Sequence, residues 1–291
     1  MAGADTPTAV GTLERVNVLG VGVSAIDPAM AIATIARWIA ERDARFVTIT
    51  GVHGVMESQR DEELRRIHNR AGLVTPDGMP LVWVSRLRGH RRVRRVYGPD
   101  LMLAVCQHSL EAGWRHYLYG GGDGVPELLA ERLRERFPGL RIVGTCSPPF
   151  RPLTADEDAE LVERIDAAVP DIVWVGLSTP KQERWMDAHV GRLQAPVLIG
   201  VGAAFDFHAG LKRQAPRWMQ RGGLEWFYRL LSEPRRLWRR YLRSNPLFIG
   251  SILLQALGLR RYSLQDGTEE QRRDLRGPYG GEPTAPVEDR S

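Results

Sequence analysis

From residue 45 to residue 202 the chain keeps returning to short apolar runs: RFVTIT (45–50), LVT (73–75), RHYLYG (115–120), LRIVGT (140–145), DIVWVGL (171–177) and PVLIGVG (196–202). Runs of this length without polar alternation suit strands that are covered on both faces. The intervening segments carry helical periodicity with capping residues at their starts, as in Asp27-Pro28 and Thr154-x-x-Glu157. Strands alternating with amphipathic helices predict an α/β class fold, a mostly parallel sheet with helices on both faces. In such sheets the reactive groups sit in loops at the carboxyl ends of the strands.

The periodicity predicts helices over residues 28–38, 61–70, 100–112, 125–137, 156–168 and 181–193, and reads ERVNVLGVGVSAI (14–26) as one strand or a pair of short strands. After Gly210 the pattern changes. Residues 217–259 contain no strand signal and read as short helices punctuated by Gly222-Gly223, Pro234 and Pro246. The expected organisation is a flexible terminus at 1–13, a core at 14–210, a helical appendage at 211–259 and a disordered tail at 260–291.

A hydrophobic content of 43% is that of a globular protein. No run reaches the roughly 18 to 20 apolar residues of a membrane span, and no signal peptide precedes the first strand, so the chain is expected inside the cell. Cys106 and Cys146 are too few for a disulfide framework and have no metal-ligand spacing with the histidines; they read as small buried residues. A net charge of +5 points to an anionic partner.

Several motifs allow two readings. LGVGVSA (19–25) fits a dinucleotide fingerprint in form, yet the helix waits for Asp27-Pro28, which conflicts with an NAD site. YGGGDGVPELL (119–129) sits between strand and helix and either holds a pyrophosphate or makes a tight βα turn. Asp156-x-Asp158 could hold a metal under a diphosphate, but a capping box explains it better, and no metal is expected. In LVTPDGMPLVW (73–83), Pro76 fixes its own φ and Gly78 frees its own, so Asp77 either caps the next helix or is aimed into the cleft. VGLSTPKQERW (175–185) places Gln182 on the first turn of a helix at a strand's carboxyl end. In GVGAAFDFHAG (200–210), Asp206 either orients a ligand or caps a turn, and His208 reads as a packing residue. Residues 229–243 carry six arginines among Tyr228, Trp238 and Tyr241, followed by the apolar PLFIGSILLQALGL. That combination suits a headgroup layer or a lipid diphosphate, against an RNA-binding or a packed helix.

Taken together, TPDGMPLVW, RVYGPDL (95–101), GLSTPKQERW, GVGAAFDFHAG and APRWMQRGGLEWFYRLLSEPRRLWRRYL closely resemble the WecG/TagA/CpsF family of bacterial glycosyltransferases, in the family's order and over residues 16–243. The resemblance implies a Rossmann-like core. It also implies inverting transfer from a nucleotide-sugar donor, usually UDP-linked, to a polyprenyl-diphosphate-linked sugar acceptor at the cytoplasmic membrane surface. In the family such transfer serves cell-envelope polysaccharide synthesis, and the C-terminal appendage helps complete the site. Carried over residue by residue, Asp77 is the catalytic base, and Thr48 is the threonine of the family's V-T-x-N strand end. The asparagine of that motif falls on Thr50 here. Arg95, Gln182 and the arginines at 229, 235 and 236 match the remaining motif positions. A second departure is TCSPPFRPL (145–153), where many relatives have Gly-Tyr-Phe.

The chemistry agrees with that assignment. A carboxylate accepting the acceptor hydroxyl's proton contributes about 10² to 10⁴ in rate. The charge developing on the departing diphosphate is met by arginines, so no cofactor is expected. The site expectation is therefore Asp77 as base, with Thr48, Thr50, Arg95, Gln182, Asp206, Arg229, Arg235 and Arg236 binding substrate. Its partners are the two substrates and the inner membrane face, with no nucleic acid, and a homo-oligomer is left open. The alternative is a non-catalytic membrane or RNA adaptor that uses the basic segment.

Overall fold

A computed structural model of the chain describes residues 13–264. Strands β1 (Arg15–Val18) and β2 (Val21–Ser24) form an antiparallel hairpin. Its turn is Leu19-Gly20 with φ of 52° and 83°, the two left-handed residues of a type I′ turn. The glycines of LGVGVSA thus belong to a hairpin and open no helix, which removes the dinucleotide reading. Then come α1 (Pro28–Glu41), β3 (Arg45–Thr50), α2 (Val52–Ser58), α3 (Glu62–Arg70), β4 (Leu73–Pro76), α4 (Met79–Leu87) and α5 (Gly98–Ala112). The second half holds β5 (Arg115–Gly120), α6 (Val125–Arg136), β6 (Arg141–Cys146), α7 (Ala155–Ala167), β7 (Ile172–Gly176), α8 (Lys181–His189), β8 (Val197–Gly200) and α9 (Ala204–His208). The appendage is α10 (Arg217–Arg221), α11 (Glu225–Ser232) and α12 (Pro234–Ala256).

Six strands pair in parallel in the order β4-β3-β8-β7-β5-β6. Alternate strand residues feed two cores. Val47, Leu118, Trp174 and Ile199 face α1, α5, α6 and α9, while Phe46, Tyr117, Val175 and Leu198 face the hairpin, α7 and α8. From β3 the chain steps outward to β4, and it returns beside β3 as β8 only after building the far half. The switch point therefore lies between β3 and β8, where a ligand crevice is expected.

Helix α2 has no counterpart in the sequence reading, and α4 is the helix that the reading of Asp77 as a cap anticipated; both follow a strand within three residues. Pro246 does not end a helix. It lies inside α12, which runs 23 residues. Leu237, Ser244 and Phe248 of that helix are buried, and Gln255 accepts from Leu19 N–H at 3.2 Å. This packing holds the helix through the one hydrogen bond that proline removes. Trp238, Leu242, Ile249, Leu253 and Leu257 lie on the opposite face, exposed. Residues 246–259 thus both pack on the protein and present an apolar stripe. No helix among the described residues is long and apolar enough to cross a membrane. Of the tail expected at 260–291, residues 265–291 lie outside the described residues, as do residues 1–12 of the terminus expected at 1–13; Tyr262 packs against the core, and its carbonyl accepts from Asn17 Nδ2 at 2.6 Å.

The core holds a titration point. Trp174 Nε1 donates to His116 Nδ1 at 2.9 Å, and burial pushes the His116 pKa down to about 4. A histidine neutral in the fold but protonated on unfolding costs stability as pH falls from about 6.5 to 4. Denaturant unfolding should lose about 3 kcal/mol more across that window in the natural protein than in His116→Gln.

Candidate active site

At the end of β4 the Asp77 N–H donates to the Thr50 carbonyl at 3.0 Å, extending the β3–β4 ladder by one residue beyond Pro76. The N-cap of α4 is Gly78, and no side chain caps it. Asp77 is therefore not a helix cap. Gly78 has φ of −96° in the extended region, so the turn does not need the left-handed freedom that the sequence suggested.

The Asp77 carboxylate instead meets a cluster of charges. Arg95 donates from Nε to the Asp77 carbonyl and from Nη2 to Asp77 Oδ1 at 3.4 Å. The same Nη2 binds Glu225 Oε2 of α11, and Glu225 Oε1 pairs with Arg229 at 2.9 Å. Tyr97 lies under the Arg95 guanidinium, 4.1 Å from ring centroid to Cζ, and burial and the Glu225 charge raise its pKa while the Arg229 charge opposes the rise. Burial raises the Asp77 pKa, Arg95 partly opposes the rise and the Glu225 charge adds to it. Two carboxylates and two guanidiniums thus meet where the core touches the appendage. Arg229 also sits over the Phe207 ring of α9 at 5.4 Å and lines a cavity of about 340 Å³ with Ala203, Lys212, Arg213 and Tyr228.

A second group lies on the β3–β8 side. Thr48 and Thr50 are buried, with Thr50 Oγ1 donating to Thr48 Oγ1 at 3.2 Å and Thr48 Oγ1 to the Leu73 carbonyl at 3.4 Å. Thr48 pairs in register with Gly200, and the Gln182 side chain lies over that glycine, where a Cβ would come within 3.2 Å of Gln182 Cδ. Thr48, Thr50 and Gln182 therefore share one sheet face. The Thr50–Asp77 backbone bond joins them to the charged cluster.

The remaining expected residues are more dispersed. Asp206 pairs with Lys212 Nζ at 2.7 Å. Arg235 is exposed at the start of α12, and the Arg236 side chain lies outside the described parts. Thr154 and Glu157 form the capping box, and Asp158 bonds His189 and Arg192. His208 packs against the Pro99 carbonyl at 2.9 Å. Gly121 N–H donates to Gly176 O at 2.9 Å, continuing the β5–β7 pairing, and Val125 N–H donates to Gly122 O at 3.0 Å where the glycine-rich segment turns into α6. A cavity of about 440 Å³ opens beside the TCSPPFRPL loop, lined by Tyr119, Cys146, Ser147 and Arg164.

The profile of the glycosyl transferase WecG/TagA/CpsF family matches residues 16–262. The chain belongs to this family. It is similar to the N-acetylglucosaminyldiphosphoundecaprenol N-acetyl-beta-D-mannosaminyltransferase of Bacillus spizizenii, with 31% identity over 197 residues, 68% of this chain and 74% of the relative. The Bacillus subtilis protein of that name is 30% identical over 194 residues, 67% and 73% of the two chains. The Staphylococcus aureus protein of that name is 25% identical over 240 residues, 82% and 92% of the two chains.

This WecG/TagA/CpsF glycosyltransferase brings three residues to the site that the motifs did not single out as site residues. Glu225 and Tyr97 lie inside quoted motif segments, but only the docking of α11 on the Asp77 loop shows what they touch. Glu183 follows Gln182 and is 1% exposed, a burial that a charged residue in a helix's first turn does not announce.

Proposed function

We propose that this glycosyltransferase transfers N-acetylmannosamine from a UDP-linked donor to a polyprenyl-diphosphate-linked N-acetylglucosamine, with inversion and without a metal. The observation that carries the reading is the Asp77–Arg95–Glu225–Arg229 cluster at the junction of core and appendage. The relatives' shared name supplies the two sugars and the lipid diphosphate.

Asp77 accepts the proton of the acceptor hydroxyl as its oxygen attacks the anomeric carbon. The bond to the UDP oxygen breaks, and its electron pair leaves on the diphosphate. The guanidiniums of Arg95 and Arg229 meet that charge as planar, bidentate donors. Thr50 and Gln182 line the same crevice at the carboxyl edge and position the sugars, with Thr48 behind Thr50. Asp206, Arg235 and Arg236 complete the binding set along α9 and the start of α12. The enzyme works at the inner membrane face, held there by the apolar stripe of α12.

A screen of UDP-sugars with a short-chain polyprenyl-diphosphate N-acetylglucosamine acceptor, read by UDP release, tests this reading. Turnover with UDP-N-acetylmannosamine is expected. A protein that binds no UDP-sugar in titration calorimetry would be an adaptor instead. The acid limb of the kcat/KM–pH profile should lie above the ordinary aspartate value of about 3.9, since the base must be ionised and burial raises its pKa. Arg95→Gln removes a charge that holds that pKa down, so the limb should move to higher pH as activity falls. A limb at or below pH 4 in both proteins would contradict the assignment.

A further inference from the structure

Glu183 is 1% exposed, and its Oε1 accepts hydrogen bonds from Thr179 Oγ1 at 2.9 Å and from Gln182 Nε2 at 3.1 Å. A carboxylate has no proton to donate, so only the amide nitrogen of Gln182 can face it. Turned the other way, the amide would set oxygen against oxygen in a buried site. The carboxylate therefore dictates where Gln182 Oε1 points. That oxygen is buried, with Gln182 3% exposed, and has no partner among the described residues.

The surroundings of Gln182 Oε1 place it at the carboxyl edge of the sheet. A Cβ at Gly202, just after β8, would lie 3.3 Å from it and 3.2 Å from the Leu177 carbonyl just after β7. Gly202 has φ of 50°, so a glycine both fits the backbone and leaves the oxygen uncovered. A buried acceptor without a donor costs free energy unless a ligand supplies one.

Behind Glu183, His68 of α3 is fully buried. Its Nδ1 lies 2.9 Å from the Leu64 carbonyl and 3.2 Å from Ser58 Oγ. Ser58 donates its own proton to the Gly54 carbonyl, so both neighbours of Nδ1 are acceptors and Nδ1 carries the imidazole proton. With Nδ1 so engaged, His68 Nε2 and Glu183 Oε2 are both buried without a partner among the described residues, and Oε1 is the Glu183 oxygen that receives hydrogen bonds.

We propose that Glu183 is a positioning residue. It locks the Gln182 amide so that Oε1 accepts a hydroxyl or acetamido N–H of a substrate sugar. This rests on the transferase reading above. A site that demands such a donor discriminates against sugars lacking it.

The test combines kinetics and spectroscopy on the full chain. UDP-N-acetylmannosamine and a short-chain polyprenyl-diphosphate N-acetylglucosamine are varied in turn with Glu183→Gln, Gln182→Ala and the double variant. Glutamine at 183 can present either end of its amide, so the lock is lost. Glu183→Gln should lower kcat/KM by about 10- to 100-fold for whichever sugar Gln182 touches, leave the other substrate's KM unchanged and keep the melting temperature within a few degrees. Added to Gln182→Ala it should cost almost nothing more, whereas independent losses that multiply would overturn the proposal. With 15N-glutamine labelling, the side-chain amide pair that disappears in Gln182→Ala should shift in Glu183→Gln, and an unmoved pair would refute the lock. Should Glu183→Gln not fold, Gly202→Ala tests the other side, because a methyl beside Oε1 must lower the same sugar's kcat/KM and no change refutes the contact. If the natural protein turns over no UDP-N-acetylhexosamine, the functional reading fails, and the amide resonance still decides the lock.

Discussion

Asp77→Asn is expected to lower kcat by about 10² to 10⁴-fold while leaving donor KM and thermal stability nearly unchanged, as measured by UDP release at saturating acceptor. Asparagine has the same shape and keeps an oxygen for Arg95 Nη2, which bonds Asp77 Oδ1 at 3.4 Å. The backbone bonds that fix the turn, from Asp77 N–H to the Thr50 carbonyl and from Arg95 Nε to the Asp77 carbonyl, do not involve the carboxylate. What the variant loses is the ability to take a proton. The acid limb of the pH profile should vanish with it. Full transfer by Asp77→Asn would show that another group is the base.

A double substitution on the exposed stripe of α12, Leu242→Asp with Leu253→Asp, is expected to weaken binding to anionic phosphatidylglycerol vesicles by about 100-fold or more. The two leucines are 65% and 56% exposed, eleven residues apart and so on one face of the helix. Each contributes about 1.5 to 3 kcal/mol if a headgroup layer covers it. Exposed positions tolerate substitution within about 0.5 kcal/mol of folding stability, so UDP-sugar binding should persist. Removing residues 229–291 would also abolish vesicle binding and transfer. It is a blunter cut, because it takes away Arg229 of the charged cluster, Phe248 of the core and the Gln255 bonds to the hairpin. Unchanged co-sedimentation of the double variant would show that this stripe does not face lipid.

Part of the candidate site was legible because Asp77 and Gln182 follow strands, and Arg95 and Arg229 sit in segments that the family resemblance singled out. Asp77, Arg95, Gln182 and Arg229 were all singled out from sequence, and the fold brings the first, second and fourth into one cluster through Glu225. Other choices were not legible, since they depend on contacts between segments far apart in the chain. Sequence left Asp77 open between a cap and a cleft residue. The structure gives the cap to Gly78, because the β3–β4 ladder continues through the Asp77 N–H and turns the carboxylate toward Arg95. Pro246 looked like a helix end because local rules see the lost hydrogen bond and cannot see Phe248 and Gln255 packing the same helix onto the core and hairpin. The burial of Glu183 follows from α8 docking against α3, a contact between segments more than a hundred residues apart.

By itself the sequence determined the parallel α/β core and the strand ends that carry polar groups, because these follow from hydrophobic periodicity and local turn chemistry, while its quoted motifs carry the likeness to the glycosyltransferase family. Tertiary structure alone decided the order β4-β3-β8-β7-β5-β6, the meeting of Asp77 with an appendage glutamate 148 positions downstream and the direction in which Gln182 offers its carbonyl. Those outcomes depend on which buried charges and amides end up as neighbours. Hydrogen-bond satisfaction in a desolvated interior sets that pairing, and no local pattern encodes it.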